Sequence, residues 1–281
     1  MKLGTLAVIS KPYEARERFL VLKEKGFTAC QLVYKPKNYD LADAAIIRAA
    51  AEETGIDISA QFCGYYDTDT VWDNYYGYMT AGLGVEAYRR SRLDYVRSAA
   101  AFAHEAGIPD IIVHAGFIPN NPFSSDYPPI LTAVRQLCTY CKRLGMNVLL
   151  ETGGESAVAL LRLINDVGTE NLYVNLDPAN MLMYGYANPV DAMYTVGKYV
   201  RNIHGKDGMP PTDPRCLGEE RPVGQGMVDF GSLFRALKEL GYDRYVIIER
   251  EIRGDDHAKG VSEAKKYFEE ILTGIGYFIE T

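Results

Sequence analysis

The chain has no surplus of positive charge, no apolar run of membrane-spanning length and no second cysteine pair, and each absence removes a class of protein. Thirty Lys and Arg stand against 37 Asp and Glu, a net charge of −7 with a pI near 5.3. Phosphate neutralisation needs a basic face, so a nucleic-acid partner is not expected. The first apolar stretch, in "MKLGTLAVIS", is shorter than a signal-peptide core, and nothing approaches the ~20 residues of a membrane span. Five cysteines, an odd number, imply no disulfide framework. Cys138 and Cys141 form a CxxC, but within a helical pattern and without a second pair to complete a zinc site. The expectation is a cytoplasmic protein with no membrane partner.

What is present is regular alternation. Strand-like runs ("LGTLAVIS", "FTACQLVY", "IDISAQFC", "DIIVHAG", "NVLLETGG", "LYVNLDP", "VRNIHGKD", "YVIIERE") alternate with helical stretches, the last from about Ala258 to Leu272. Gly26, Gly55, Gly107, Gly145, Gly168 and Gly241 stand where a helix gives way to the next strand, as a left-handed helix stop requires. Eight strand–helix units without a composition break, over 281 residues, predict a single-domain (β/α)8 TIM barrel spanning residues 1–281. An open doubly wound sheet is the alternative, but no glycine-rich phosphate turn follows the first strand. Two long loops stand out, 64–85 after strand three and 207–229 after strand seven.

In such a barrel the chemistry sits at the C-terminal ends of the strands. Strand five ends in Glu151, strand six in Asp177, strand seven in His204 and strand eight in Glu249, with Glu251 of the same parity as a rival. Three carboxylates in one low-dielectric mouth repel one another unless a cation neutralises them. Oxygen-rich ligation with one imidazole suits a divalent ion, Mn²⁺ foremost, with Mg²⁺, Co²⁺ or Zn²⁺ as alternatives. Asp177 thus reads as a metal ligand, freed at the rim by Pro178.

The segments "LLETGG", "VNLDPANML", "IHGKDG", "PVGQGMVDF" and "YVIIERE" resemble the xylose-isomerase-like TIM barrels, and among them the sugar and sugar-phosphate isomerase/epimerase branch that includes ketose 3-epimerases. The resemblance implies one divalent metal held by Glu151, Asp177, His204 and Glu249, and a small-molecule sugar substrate. It also implies proton abstraction next to a metal-bound carbonyl, through an enediolate, with Glu151 and Glu249 as the two bases. Homodimers or homotetramers are usual for such barrels. The sequence departs from the ketose 3-epimerases at Asn180, where many of those enzymes have histidine. Glu155, only four residues after Glu151, aligns poorly with their substrate-contacting glutamate.

His114, Asn180, Lys206, Arg221 and Trp72 are the candidate substrate contacts. His114 is equally readable as structural, Asn180 as a turn cap and Arg221 as a solvated loop residue. Trp72 belongs to a dense aromatic stretch with Tyr65, Tyr66, Tyr75, Tyr76 and Tyr78. That stretch reads either as a wall over the barrel mouth or as a subunit interface. A dehydratase or lyase acting on keto-sugars, inososes or 3-keto-glycosides would begin with the same proton abstraction and is the alternative function. A hydride-shift isomerase would want a second metal site. An endonuclease would want more zinc ligands than four histidines supply, and a non-catalytic sugar-binding barrel would leave the metal site empty.

Overall fold

Parallel pairing carries eight strands round into a closed barrel in a computed structural model that describes residues 1–280 apart from 68, 253 and 255. The strands are Lys2–Ala7, Ala29–Val33, Asp57–Phe62, Asp110–Val113, Asn147–Glu151, Leu172–Leu176, Val200–Gly205 and Tyr245–Ile248. The last pairs with the first, Lys2 opposite Tyr245 and Thr5 opposite Ile248. Among the described residues no helix is long and apolar enough to cross a membrane.

The pleat divides each strand between two environments. Outward residues such as Cys30, Ile111, Val148, Val174 and Ile203 join the main core beneath the surrounding helices. The inward face holds a far smaller apolar cluster, Ala60, Ile112 and Leu149, with Phe62 and Tyr173 packed against it. Above this plug the interior turns polar, with Gln31, Asn175, Asn202 and His204 all buried. All six glycines read as helix stops have positive φ, between 65° and 76°. A seventh, Gly276, ends the closing helix, which runs His257–Ile275 rather than from Ala258 to Leu272.

Several boundaries differ from the sequence reading. Strand five ends at Glu151 as read, but strands one, four, six and eight end at Ala7, Val113, Leu176 and Ile248, where the ladders end, although the strand-like runs continue beyond them. Strand seven stops at Gly205, and Asp207–Met209 turns away to pair antiparallel with Glu219–Arg221 inside the segment read as a loop. Asp207 causes this: its buried carboxylate accepts N–H bonds from Gly208, Gly224, Gly226 and Val228, at 2.8–3.1 Å. Unit six carries two helices, Pro178–Met183 and Pro189–Val196. The aromatic loop holds a short helix, Gly77–Thr80.

Several contacts pin that loop, two of them through arginine and glycine. Buried Arg92 bonds Asp67 and the Gly82 carbonyl and stacks on Tyr65 at 4.5 Å. Further along, Gly82 (φ 96°) bridges Gly116 (φ 92°) in the loop after strand four. A Cβ on Gly82 would stand 2.3 Å from the Ala115 carbonyl oxygen, so only glycine permits this crossing.

Candidate active site

One ligand-capable atom from each of Glu151, Asp177, His204 and Glu249 lies within 4.8 Å of the others, and all four residues are buried. His204 Nδ1 is 3.1 Å from Glu151 Oε1, 3.0 Å from Glu249 Oε2 and 3.6 Å from Asp177 Oδ2. Its other nitrogen, Nε2, lies 3.0 Å from Gln31 Oε1. An Nε2–H donated to that oxygen turns Nδ1 toward the carboxylates. Asn175, whose amide is 3.2 Å from the same Nε2, accepts from Asn202 at 2.6 Å.

Local sequence sets Asp177. Pro178 at the first helical position starts the helix Pro178–Met183, and Asp177 caps it, Oδ1 accepting the Asn180 N–H at 2.9 Å. This fixes the carboxyl and leaves buried Oδ2 without a hydrogen-bond partner. Glu249 sits just past strand eight at the cluster. Glu251 lies outside it, its side chain 63% exposed, and pairs with Lys206 at 2.8 Å.

The electrostatics are those of buried carboxylates facing buried cations. Burial would raise the Glu249 carboxyl, but the facing His204 and Lys206 outweigh it and hold the group well below the carboxylate range. Burial opposes ionisation of Glu151 too, yet His114 and His204 bring it to about 2. For Asp177 burial prevails over Lys206 and its carboxyl is raised. His204 rises well above the usual imidazole value, the carboxylates of Glu249 and Glu151 overcoming its burial. An orphaned carboxylate oxygen, two further carboxylates and an inward-facing imidazole nitrogen form an O₃N donor set, and this buried group could hold a divalent metal.

Candidate substrate residues flank the cluster. His114 Nε2 is 3.1 Å from Glu151 Oε2. Trp72 lies 4.7 Å from the His114 ring and 6.3 Å from Tyr65, so the inner part of the aromatic loop faces the site, while Tyr75, Tyr76 and Tyr78 are exposed. Asn180 Nδ2 is 3.4 Å from Glu151 Oε1. Lys206 Nζ, fully buried, is 3.3 Å from Asn180 Oδ1, 3.4 Å from Glu249 Oε2 and 3.5 Å from Asp177 Oδ2. Arg221 is not brought in; it is exposed on the antiparallel ribbon, 2.6 Å from Glu219.

Three residues outside the sequence-based set belong to this neighbourhood. Gln31 is a lone amide in the apolar run "ACQLV", which parity could have flagged. Glu220 accepts the N–H groups of Glu251 and Ile252 at 2.9 and 3.0 Å, and burial pushes its carboxyl up to about 7. Glu155 lines the inner cavity with Trp72, His114, Glu151 and Tyr184, and burial pushes its carboxyl up to about 8. The free volume there is about 10 Å³, room for about one water or ion.

A profile of the family described as xylose isomerase-like TIM barrel matches residues 19–271. The chain is 24% identical to the 3-dehydro-D-guloside 4-epimerase of Escherichia coli (strain K12) over 279 residues, covering 94% of this chain and 97% of that protein. Among solved structures, a xylose isomerase domain protein from Planctomyces limnophilus superposes with a TM-score of 0.83 at 30% identity, covering 98% and 96% of the two chains. The D-psicose 3-epimerase of Clostridium cellulolyticum H10, solved with D-tagatose, superposes at 0.71 with 15% identity, covering 97% and 99%.

Proposed function

The chain belongs to the xylose isomerase-like TIM barrels, and from that membership and its strand-end geometry we propose that it is a divalent-metal-dependent sugar epimerase working by proton abstraction beside a carbonyl. The carrying observation is the convergence of four donors on one point, with each glutamate backed by its own proton-bearing partner. His114 stands behind Glu151, and Lys206 behind Glu249. A bound divalent ion, Mn²⁺ for preference, would polarise the substrate carbonyl and so acidify the neighbouring C–H. Carboxylates held at low pKa are weak bases, and the reaction needs that acidification.

Glu151 and Glu249 then divide the work. One takes the proton from one face of the carbon, the C–H electron pair moving toward the carbonyl oxygen as an enediolate. The other relays to the opposite face a proton drawn from the cation behind it, His114 for Glu151 or Lys206 for Glu249, which inverts the centre. The first glutamate then gives up the proton it took to solvent, from which that cation is reprotonated. Lys206 holds Glu249 in place and links it to exposed Glu251, a route for exchange with solvent. Asn180 and His114 orient hydroxyls, and Trp72 closes over the ring and excludes water.

Glu155 favours a second reading, a lyase. Its carboxyl stays protonated through neutral pH in the same cavity, placed to deliver a proton to a departing oxygen once the adjacent C–H has been broken. The relatives' substrates span free ketoses and keto-glycosides.

The test is isotope exchange. Metal-loaded protein is incubated in D₂O with keto-sugars, and mass spectrometry reads deuterium at carbon together with new products. Epimerisation predicts deuterium with an inverted centre, and Glu151→Gln and Glu249→Gln each lower exchange by at least ~100-fold, the scale of one acid–base group. Aldose formed without solvent deuterium would refute the enediolate route, and deuterium accompanied by loss of water or an alcohol would establish the lyase.

A further inference from the structure

Three of the four converging donors are held by the backbone around them. Glu151 is the last residue of its strand and stands opposite Asn175 in the ladder, and His204 stands opposite Ile247. Asp177 follows its strand by one residue, but its N–H donates to Thr152 Oγ1 at 2.8 Å, and that hydroxyl donates to the Asp177 carbonyl at 2.9 Å. Pro178 then starts the helix that Asp177 caps. Glu249 is placed differently. Strand eight pairs as far as Ile248, opposite Thr5 on one side and Gly205 on the other, and Glu249 lies beyond both ladders.

What reaches this stretch is the antiparallel ribbon. Its second strand, Glu219–Arg221, is three residues long, and the pleat sends alternate side chains to opposite faces. Glu219 and Arg221 are exposed and pair with each other, while Glu220 turns inward and is half-buried. One oxygen of Glu220, Oε2, accepts both the Glu251 N–H at 2.9 Å and the Ile252 N–H at 3.0 Å. Hydrogen bonds to a carboxylate are among the stronger ones, and two of them on successive N–H groups fix the direction in which the chain leaves the strand. The same contact holds Glu251 where its carboxylate meets Lys206 at 2.8 Å, and Lys206 lies 3.4 Å from Glu249 Oε2. Glu249 is therefore bracketed twice, through the backbone and through Lys206.

The bracket is firmly seated at its other end. Asp207, two residues past strand seven, gathers four N–H bonds, and a Cβ on Gly226 would stand 2.1 Å from Asp207 Oδ1. The Gly218 N–H donates to the Met183 carbonyl at 2.7 Å, which ties the ribbon to the helix that Asp177 caps. Glu220 thus refers the position of Glu249 to the elements that carry His204 and Asp177.

We propose that Glu220 is the positioning residue for Glu249: by accepting the two N–H groups beyond strand eight, it holds the Glu249 carboxylate at the donor cluster and so completes the metal site. Glu220 is not one of the four donors and does not line the inner cavity. This rests on the metal-binding part of the reading above and is independent of which reaction follows.

The test is Mn²⁺ titration of the full chain followed by electron paramagnetic resonance, on the natural protein, Glu220→Gln and Glu220→Leu. Glutamine presents a carbonyl oxygen to the same two N–H groups without the charge, whereas leucine accepts nothing. The expected Kd rises ~10–100-fold with leucine, the range for groups that orient ligands, and stays within ~3-fold of the natural value with glutamine. Aspartate, one methylene shorter, replaces leucine if that chain does not fold, and is expected to raise Kd in the same direction. The readout that a merely structural role would not move is coupling to Glu249. On a Glu249→Gln chain, Glu220→Leu should change Kd by less than ~3-fold, while on an Asp177→Asn chain it should weaken binding by its full factor. Equal affinity of the natural and leucine chains, a glutamine chain as weak as leucine, or the full factor lost on the Glu249→Gln chain overturns the assignment and leaves the metal site standing. A natural chain that takes up no Mn²⁺ overturns both.

Discussion

Replacing Glu155 with glutamine should stabilise the metal-free protein, and more so as pH rises. The carboxyl is buried, and its pKa stands at about 8 against an ordinary value of 4.5. Between those two values the folded chain binds a proton that the unfolded chain has released, so stability falls with rising pH. At ~1.4 kcal/mol per pH unit, the cost reaches about 3 kcal/mol at pH 7 and approaches about 5 kcal/mol above pH 8. Glutamine has the same shape, never ionises, and can keep the bond that Oε1 accepts from the Gly153 N–H at 3.2 Å. Urea unfolding of the natural chain and Glu155→Gln, both treated with chelator, should give a stability difference about 3 kcal/mol larger at pH 8 than at pH 5.5. A constant difference across that range would refute the reasoning, because Glu155 would then be ionised at neutral pH and could not serve as a proton donor. The same variant separates the two chemistries. An eliminating enzyme loses its product-forming step and retains deuterium exchange, whereas an epimerase keeps both exchange and inversion.

Metal uptake at neutral pH should release about one proton, since a divalent ion on Nδ1 displaces the proton that Glu249 and Glu151 hold on His204. Calorimetry in two buffers of different ionisation enthalpy reads that proton, and the apparent Kd should rise ~10-fold for each pH unit lowered; a pH-independent Kd would contradict the ligand assignment. Gln31→Met removes the acceptor behind His204 Nε2 without exposing the core, and should weaken Mn²⁺ binding ~10–100-fold, the range for partners of ligating histidines. Titration followed by electron paramagnetic resonance measures this, and unaltered affinity would mean that the 3.0 Å contact does not set the tautomer.

The legibility of the sequence followed backbone periodicity. The barrel could be read because eight apolar runs and six left-handed glycine stops repeat a local rule, and local rules survive folding. Glu151, Asp177, His204 and Glu249 could be read for the same reason: each closes an apolar run, and the barrel puts every such closing residue at one mouth. Parity left Glu249 and Glu251 equivalent, and the decision came from where the ladder ends. Strand eight stops at Ile248, so Glu249 is held over the barrel while Glu251 swings to solvent beside Lys206.

Residues whose roles come from long-range closure carried no such mark. Glu155 lies in a turn, and only the approach of Tyr184 and Trp72 from distant loops buries it. Asp207 looked like a continuation of strand seven, yet its four N–H bonds reach to Val228 and peel the chain away into the ribbon that presents Glu220 to Glu251. Strand ends fix which donor atoms converge on one point. Loops close over that point, and the sequence writes them without a period. In this chain the four converging donors therefore belong to residues the barrel dictates, while Trp72, Glu155 and Tyr184, which line the inner cavity beside Glu151, lie in segments the barrel leaves free.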